Sequence, residues 1–383
     1  MKTPAKLKFI ILFIIMMNSC NSQTMSMDAE KIDEVLRNEV ENGRTPSVQY
    51  ILFSKEKIIH KFRLGFADIG SQKQVSDLTT YKIFSLTKTF TALAIMQLSE
   101  QKLLDIDVSA IKYLPEIVYG SSITVKQLLN HSAGIPNPIP FSWIHLADEH
   151  HSFNRDLFFK RIFRKHNETK SEPNEEFSYS NLGYVLLGQI IENVSGISYE
   201  EYVSKNIIKK LGLQPEDLSF SVENNERYAV GYQKEWSLIN LVLGLFINKS
   251  KFMGSTTSGW KPFEPYYVNG AAYGGLIGTP LALVKYGQEL LRANSGIISD
   301  GSKRLLFTEN RTSDGEATGM CLSWFTGSIE RTRFYAHSGG GGGYYCELRL
   351  YPELGLGSIV MFNRTGISDE RFLDKVDKYI IKK

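Results

Sequence analysis

Three short motifs in this sequence carry side chains that could perform acyl transfer at a serine. They read SLTK at 85–88, YSN at 179–181 and HSG at 337–339. A serine nucleophile needs a base that takes its proton, a proton relay, and donors that hold the oxyanion. The three motifs contain a candidate group for each need, so together they predict a site for nucleophilic catalysis.

The first motif has the form S-x-x-K, which occurs three times, starting at Ser54, Ser85 and Ser109. Ser54 lies in a polar stretch between two apolar runs and indicates a hairpin turn. The stretch after Ser109 runs into Pro115 and indicates a loop. Ser85 opens an apolar helix, which places Ser85 and Lys88 on one face near its N-terminus. We interpret Ser85 as the nucleophile, although capping is the commoner role for a serine there.

The tyrosine motif lies just before the apolar run 184–187, which predicts a buried helix preceded by a loop. Loops held by a rigid scaffold often carry the polar groups of a binding cleft. Tyr179 and Asn181 are therefore candidate site residues, with a capping turn around a buried tyrosine as the alternative. A second Y-x-N motif begins at Tyr267, ahead of a glycine-rich turn, and is interpreted as incidental.

His337 opens the third motif, which occurs once and continues into five consecutive glycines at 339–343. The chain then continues as a strand-like segment from Tyr344. Glycine within a strand indicates close approach of the backbone to a ligand. The glycine run therefore favours a strand that borders the site, with a flexible turn as the alternative.

The ordered motifs resemble the serine β-lactamase and penicillin-binding-protein superfamily, in the branch that holds class C β-lactamases, DD-peptidases and related esterases. The resemblance extends roughly over residues 32–363. It includes the segment 124–136, which is similar to the ITV-x-x-LL-x-H-x-SG pattern of that branch. The resemblance implies an α/β (α+β) fold of the β-lactamase/transpeptidase-like type, with an antiparallel sheet flanked by helices and a mostly helical subdomain.

The mechanism implied by the resemblance is a double displacement. Ser85 attacks the carbonyl of an ester, amide or small peptide and forms an acyl-enzyme, which water or another acceptor then releases. Lys88 and Tyr179 are the candidate bases, with ordinary pKa values of about 10.4 and about 10. Packing together and desolvation would have to lower the pKa of this pair before it could act near pH 7.

The resemblance also implies supporting roles, and no cofactor or metal is expected for such a mechanism. The residues expected to bind substrate or support the site are Asn181, His337, Ser338 and Gly339. The oxyanion hole is expected to consist of the backbone N–H groups of Ser85 and Gly340.

His337 departs from the pattern, because many β-lactamases have a lysine at the corresponding position. A lysine suits the carboxylate of a β-lactam, whereas histidine is mostly neutral at pH 7. We therefore expect short-chain esters or small peptides to be cleaved better than β-lactams. A DD-peptidase, a penicillin-binding protein with slow deacylation and a true class C-like β-lactamase are the alternatives. If His337 binds an anion as imidazolium, affinity should fall as the pH passes about 6 to 7.

The composition is that of an ordinary globular protein, with 42% hydrophobic and 22% charged residues. The net charge of +3 is accounted for by three lysines among the first eight residues. Because the rest of the chain is neutral, charge gives no reason to expect nucleic acid or an anionic membrane as a partner. The expected partner is a small acyl or peptide substrate, and the sequence leaves the oligomeric state open.

The N-terminus carries a targeting signal. Nine apolar residues, 9–17, follow the lysines; they are too few to span a bilayer and typical of a signal peptide. The next residues, 18–20, resemble a bacterial lipoprotein cleavage site ending in Cys20. The sequence thus predicts a signal peptide at 1–19, a lipid anchor at Cys20 and a location in the bacterial cell envelope. Ordinary cleavage nearby is the alternative.

After a tether at 20–27, the catalytic domain is expected to cover 28–383. Its sheet is expected from about 28–80 and 265–383, with a helical insert at about 110–260 and the cleft between them. The predicted helices are 28–43 and 368–381, besides the one at Ser85. The predicted strands are 47–53, 58–66, 320–326, 333–337, 344–351 and 355–362.

Three further features allow two interpretations each. His145, His150 and His151 could be metal ligands, but a solvated loop is the favoured interpretation. The apolar stretch 238–247 predicts first a buried helix and second a hydrophobic lid over the pocket. Two cysteines in predicted strands could form a disulfide or remain buried thiols; they are Cys321 and Cys346.

Overall fold

A computed structural model describes residues 27–365 and 371–380, so Cys20, the leader and most of the tether lie outside the described residues. The helices are α1 Ala29–Glu41, α2 Thr87–Glu100, α3 Val125–Leu129, α4 Arg155–Lys165, α5 Asn181–Ser195, α6 Tyr199–Val203, α7 Leu238–Leu243, α8 Lys249–Phe252, α9 Ala271–Gly274, α10 Pro280–Leu291, α11 Asp300–Leu306 and α12 Asp374–Asp377. The strands are β1 Ser47–Ser54, β2 Ile58–Asp68, β3 Lys73–Gln74, β4 Tyr81–Lys82, β5 Ile144–Leu146, β6 Leu218–Ser219, β7 Tyr232–Lys234, β8 Trp260–Pro262, β9 Tyr266–Val268, β10 Ile277–Gly278, β11 Phe325–Ile329, β12 Thr332–Gly341, β13 Tyr344–Tyr351 and β14 Leu356–Phe362.

One antiparallel sheet of seven strands forms the centre of the molecule, in the order β11-β12-β13-β14-β1-β2-β3. The N-terminal hairpin joins the C-terminal strands through the β1–β14 pair, in which Val48 lies opposite Phe362. Strands β1, β13 and β14 are buried along almost their whole length because both faces of the sheet are covered.

Side chains alternate between the two faces of β1, as the period of a strand requires. Val48 and Tyr50 pack in an apolar cluster with α1 and the C-terminal segment. Ile51 and Phe53 pack on the opposite face, in the large core that contains α2 and α10. These observations confirm the predicted fold class, a mixed α/β structure with a large antiparallel sheet flanked by helices.

Helix α2 is buried on every side, because other helices surround it. This position explains the apolar run that follows Ser85 in the sequence, since a helix that is apolar all round belongs in a core. Helices α5, α9 and α11 pack directly on α2. The N-terminus of α2 is thereby fixed relative to the loops that reach the sheet.

Several predicted boundaries are wrong. Strand β11 begins at Phe325, five residues later than expected, because Ser323 has a φ of +69° and Cys321 N–H bonds back to Trp324 O. Within the described residues, the last helix is only Asp374–Asp377, and residues 366–370 lie outside them. Cys321 and Cys346 are both free and buried.

The favoured interpretation of the histidine cluster is also wrong for His145. This residue lies in strand β5 and is buried, with its ring nitrogens bonded to Asn269 Oδ1 at 2.8 Å and His150 Nδ1 at 2.9 Å. Its strand pairs with β9, which explains the burial. The described residues contain no cluster of three or more His, Cys, Asp or Glu side chains suited to a metal ion.

Within the described ranges, every helix falls short of the length or the apolar character that crossing a bilayer requires.

A buried ion pair supports the sheet on the face that α12 covers. The fully buried Arg349 guanidinium donates to Glu347 Oε1 at 2.8 and 2.6 Å and lies 2.6 Å from Asp374 Oδ1. Nearby, Asp377 accepts hydrogen bonds from Tyr351 and Ser358, each at 2.7 Å. Burial raises the pKa of Glu347 to about 7, although the guanidinium opposes that shift.

We expect Arg349→Leu to lower the free energy of unfolding by about 3–5 kcal/mol, because it leaves buried carboxylates without their cation. Chemical denaturation followed by circular dichroism measures this. Arg371→Leu is the matched control, since Arg371 is half exposed and pairs with Asp374 at the surface; its cost should be below about 1 kcal/mol. Equal decreases in the free energy of unfolding of the two variants would contradict a structural role for the buried pair.

Candidate active site

Ser85 lies in the tight 3-10 turn Phe84–Leu86, just before α2 begins at Thr87. The preceding residue, Phe84, has a φ of +43°, a strained conformation for a residue other than glycine. Ser85 makes no side-chain cap to the turn or to α2, so the capping alternative is wrong. Ser85 is partly buried and lines a cavity.

Lys88 lies one turn along the helix, fully buried, with three oxygen atoms around its Nζ. These are Ser85 Oγ at 3.2 Å, Asn181 Oδ1 at 2.8 Å and the backbone oxygen of Tyr273 at 2.8 Å. None of the three is an acid, and burial lowers the pKa of Lys88 well below its usual value. A buried ammonium without a carboxylate partner is therefore disfavoured relative to the neutral amine.

The three neighbours match the hydrogen-bonding capacity of a neutral amine. Asn181 Oδ1 and the Tyr273 carbonyl can only accept, so they use the two N–H groups of the amine. The Ser85 hydroxyl can donate, so it can give its proton to the remaining lone pair. This arrangement directs the basic electron pair of Lys88 toward the serine.

Tyr179 lies beside the same lysine. Lys88 Nζ is 5.0 Å from the centre of the Tyr179 ring and 5.4 Å from that of Tyr184. The faces of aromatic rings attract a cation. The two tyrosine rings therefore favour the ammonium that forms when Lys88 takes the serine proton. The Tyr179 ring also stacks on His131, with 4.3 Å between ring centres.

The loop before α5 is held by residues of the 124–137 region. Asn137 Oδ1 accepts both the backbone N–H and the Nδ2–H of Asn181, each at 3.1 Å. His131 Nδ1 accepts the N–H of Ser180 at 3.1 Å, and Ser180 caps α5. Asn137 and His131 are not predicted as site residues, although His131 belongs to the H-x-SG pattern, which was the available signal.

His337 is almost fully buried in strand β12 and packs against Phe325. Its Nδ1–H donates to the carbonyl oxygen of Ser338 at 2.7 Å. Burial is the main cause that lowers the pKa of His337 to about 3, and Lys88 adds to the effect only when it is protonated. The expectation of a neutral histidine at pH 7 agrees with this pKa, and the burial of His337 disfavours an imidazolium that binds anions near pH 6 to 7.

The tautomers of the two site histidines follow from their backbone partners. His131 accepts an amide proton at Nδ1, so its own proton is on Nε2. His337 donates from Nδ1 to a carbonyl, so its Nε2 carries a lone pair. Both Nε2 atoms are buried without a protein hydrogen-bond partner among the described residues. The site therefore offers one unpaired donor and one unpaired acceptor.

Gly339 lets strand β12 pack directly on the serine turn. A Cβ atom at this position would lie 1.9 Å from the carbonyl oxygen of Ile83, so any other residue would push the strand away. Gly339 to Gly341 continue the strand and only then does the chain turn, so the strand interpretation is correct. The backbone of Gly340 and the side chain of Ser85 line the same cavity.

This cavity has a volume of about 170 Å³. Its apolar wall includes Phe84, Trp143, Leu243, Ile247, Phe263 and Tyr266. No charged side chain lines it in the described part of the chain. Leu243 and Ile247 belong to the stretch 238–247, so the hydrophobic-lid interpretation is favoured. The buried-helix interpretation is wrong, because several large side chains of that stretch are exposed.

The geometry agrees with comparisons to known proteins. Residues 32–379 match the family model described as Beta-lactamase. Penicillin-binding protein 4* of Bacillus subtilis is 28% identical over 77% of this chain and 63% of its own length. Protein flp of Staphylococcus aureus is 25% identical over 87% of this chain and 63% of its own length. The chain thus spans about three-fifths of these relatives.

Solved structures share the fold. The octameric penicillin-binding protein homologue from Pyrococcus abyssi superposes with a TM-score of 0.71 at 26% identity, over 88% of this chain and 74% of that one. D-amino acid amidase from Ochrobactrum anthropi gives a TM-score of 0.73 at 21% identity, over 92% and 98%; at that identity the likeness concerns the fold alone. With a family model that matches almost the whole described chain, the protein belongs to the Beta-lactamase family.

Proposed function

We propose that this protein is a serine hydrolase that forms an acyl-enzyme at Ser85 and acts on small esters, amides or peptides. The observation that carries the proposal is the buried Lys88, whose amine lies 3.2 Å from Ser85 Oγ. Few structural roles need a lysine that is fully buried, has no acidic partner and touches a serine in a cavity. Membership in the Beta-lactamase family supports the same chemistry.

The proposed reaction has two displacement steps. Ser85 Oγ attacks the substrate carbonyl carbon while its proton moves to Lys88 Nζ. The backbone N–H groups of Ser85 and Gly340 hold the oxyanion that develops. The tetrahedral intermediate collapses and the leaving group departs with a proton delivered through Lys88 or Tyr179. Water then attacks the ester of Ser85, and the same groups return the serine hydroxyl.

The cavity supports an uncharged, apolar acyl group as the substrate portion bound beside Ser85. Its wall has no charged side chain in the described residues, and His337 is neutral. A β-lactam brings a carboxylate, for which these groups offer no cation. Esters and amides are therefore the preferred substrates.

A penicillin-binding protein with slow deacylation is the second candidate, favoured by the name of the relative from Bacillus subtilis. It differs from the first in the lifetime of the acyl-enzyme. Recovery of active enzyme within minutes after labelling indicates a hydrolase, whereas an adduct that persists for hours indicates a binding protein.

We propose further that the mature protein is anchored in the bacterial cell envelope through a lipid on Cys20. The proposal rests on the lysine-rich start, the nine apolar residues and the small-residue-then-cysteine sequence.

Ser85→Ala should abolish covalent labelling by a fluorescent penicillin or fluorophosphonate. It should also reduce ester hydrolysis by on the order of 10³-fold or more. Ser54→Ala and Ser109→Ala are matched controls from the other S-x-x-K motifs; their hydroxyls bond to the backbone oxygens of Lys57 and Ser121. Both controls should label normally, and full labelling of the Ser85 variant would refute the assignment.

Rates of hydrolysis by the unlabelled wild-type protein decide the substrate class. We expect p-nitrophenyl acetate or a small amide to be hydrolysed faster than nitrocefin. Nitrocefin hydrolysis far above that of any ester would identify a β-lactamase proper.

Lys88 is active as the neutral amine, so kcat/KM should rise with pH through the pKa of Lys88 and then level off. Because burial lowers that pKa, the plateau should begin well below the ordinary lysine range. Asn181→Asp places a carboxylate 2.8 Å from Nζ, which stabilises the ammonium and should move the rise to higher pH. Asn193→Asp, on the exposed end of α5, should leave the profile unchanged. An unshifted profile in the Asn181 variant argues against Lys88 as the base.

Cys20→Ala should release the protein from the membrane fraction or block its maturation. Cell fractionation and intact mass of the wild type measure this. An unchanged membrane fraction, together with a wild-type mass that contains no lipid, would mean that the protein is simply secreted.

A further inference from the structure

An exposed apolar ridge, residues 236–246, lies at the rim of the catalytic cavity. Four of its side chains have large exposed fractions: Trp236 at 88%, Leu238 at 76%, Leu241 at 73% and Leu245 at 82%. Scattered apolar residues on a surface need no explanation, but several large ones in one short segment mark an interaction site.

Polar contacts hold the ridge in this orientation. Ser237 caps α7 by accepting the N–H of Asn240, and Gln233 Nε2 donates to Ser237 Oγ at 2.8 Å. Asn240 Nδ2 donates to the backbone oxygen of Glu235 at 2.7 Å. Asn240 and the capping residue Ser237 are thus used for anchoring on the protein, while Leu238 and Leu241 are presented outward.

The opposite side of the ridge belongs to the cavity wall. Leu243 lines the cavity together with Ile247, the residue that follows the ridge. Phe246 packs edge to face on Phe141, another cavity residue, with 5.2 Å between ring centres. Whatever the outer side binds therefore lies next to the entrance to Ser85.

The sequence around the ridge favours a lipid surface as the occupant. Residues 236–248 contain no charged side chain. Lysines lie beside them at 234, 249 and 251, together with one acid, Glu235; Lys251 is paired with Glu149. A tryptophan and leucines on one side with lysines at the ends are typical of segments that lie in the bilayer interface. Lys249, which follows the ridge directly after Asn248, suits the negative charge of anionic lipid headgroups.

A second copy of the protein fits the ridge less well. A patch of this length offers on the order of 500 Å², so two copies face to face would bury less than the roughly 1,200–2,000 Å² of stable interfaces. Separate protruding side chains also need matching pockets in a protein partner, whereas fluid acyl chains adapt to them.

We propose that residues 236–246 dock on the surface of a lipid bilayer, with Trp236, Leu241 and Leu245 inserted into the interface. Docking places the entrance of the catalytic cavity at the membrane surface. The docking proposal does not depend on the identity of the nucleophile. Membrane docking can therefore be refuted while the proposed function holds, and the proposed function can be refuted while docking holds.

Trp236 is a built-in reporter, because the other three tryptophans, Trp143, Trp260 and Trp324, are buried. The full chain is mixed with vesicles of phosphatidylethanolamine and phosphatidylglycerol, with and without brominated acyl chains. We expect the tryptophan fluorescence emission to shift to shorter wavelength and to be quenched by the brominated lipid. Trp236→Phe should lose both signals and retain Ser85 labelling.

The variant Leu241→Glu/Leu245→Glu should lose the shift and the quenching, because two charges would have to enter the interface, while penicillin or fluorophosphonate labelling is unchanged. Leu103→Glu/Leu305→Glu is the matched control, with the same change at exposed leucines outside the ridge; it should behave as wild type. Two results would overturn the proposal. One is unquenched Trp236 emission, even in protein that sediments with vesicles. The other is a dimer in lipid-free solution that the first variant dissociates.

Discussion

The site depends on one constraint, the burial of Lys88 among acceptors that carry no charge. Moving an amine out of water favours its neutral form, and here the surrounding oxygens match two N–H groups and one lone pair. Helix α2 holds the lysine, α5 brings Asn181, and α9 brings the carbonyl of Tyr273. The packing of three helices is therefore what sets the basicity of the amine, and any shift that admits water or a carboxylate would restore the ammonium.

The sheet forms the wall of the site opposite the helices, and this close packing depends on the absence of a side chain. Strand β12 can reach the serine turn only because Gly339 has no side chain where the Ile83 carbonyl lies. The same strand carries His337, which the turn and Phe325 enclose so completely that it stays neutral. Together these features give a small apolar cavity with a neutral amine next to Ser85 and no permanent cation on its wall, which favours neutral acyl groups.

The sequence predicts the local parts of this arrangement well, because S-x-x-K spacing on a helix places Ser85 and Lys88 together whatever the tertiary packing. It does not predict Asn137 or the role of His131, whose contacts join residues 44 and 49 positions apart. Hydrophobicity alone predicts a buried helix for 238–247, although much of that stretch is exposed, because an apolar run carries no information about what covers it. Strand β11 starts later than predicted because Ser323 adopts a left-handed conformation. The sequence has no glycine at this position that would have indicated the turn.

The pairing of β1 with β14 has a consequence for the order of assembly. Ser47 Oγ donates to Asn363 Oδ1 across a separation of 316 positions. Strand β12, which carries His337, is connected to β1 only through β13 and β14. Contacts so distant in sequence form late, after the loop-closure entropy has been overcome. During synthesis the residues of the serine turn therefore emerge well before those of its opposite wall, so the nascent chain has no complete cavity. We therefore expect reactivity at Ser85 only after the last strand has closed the sheet.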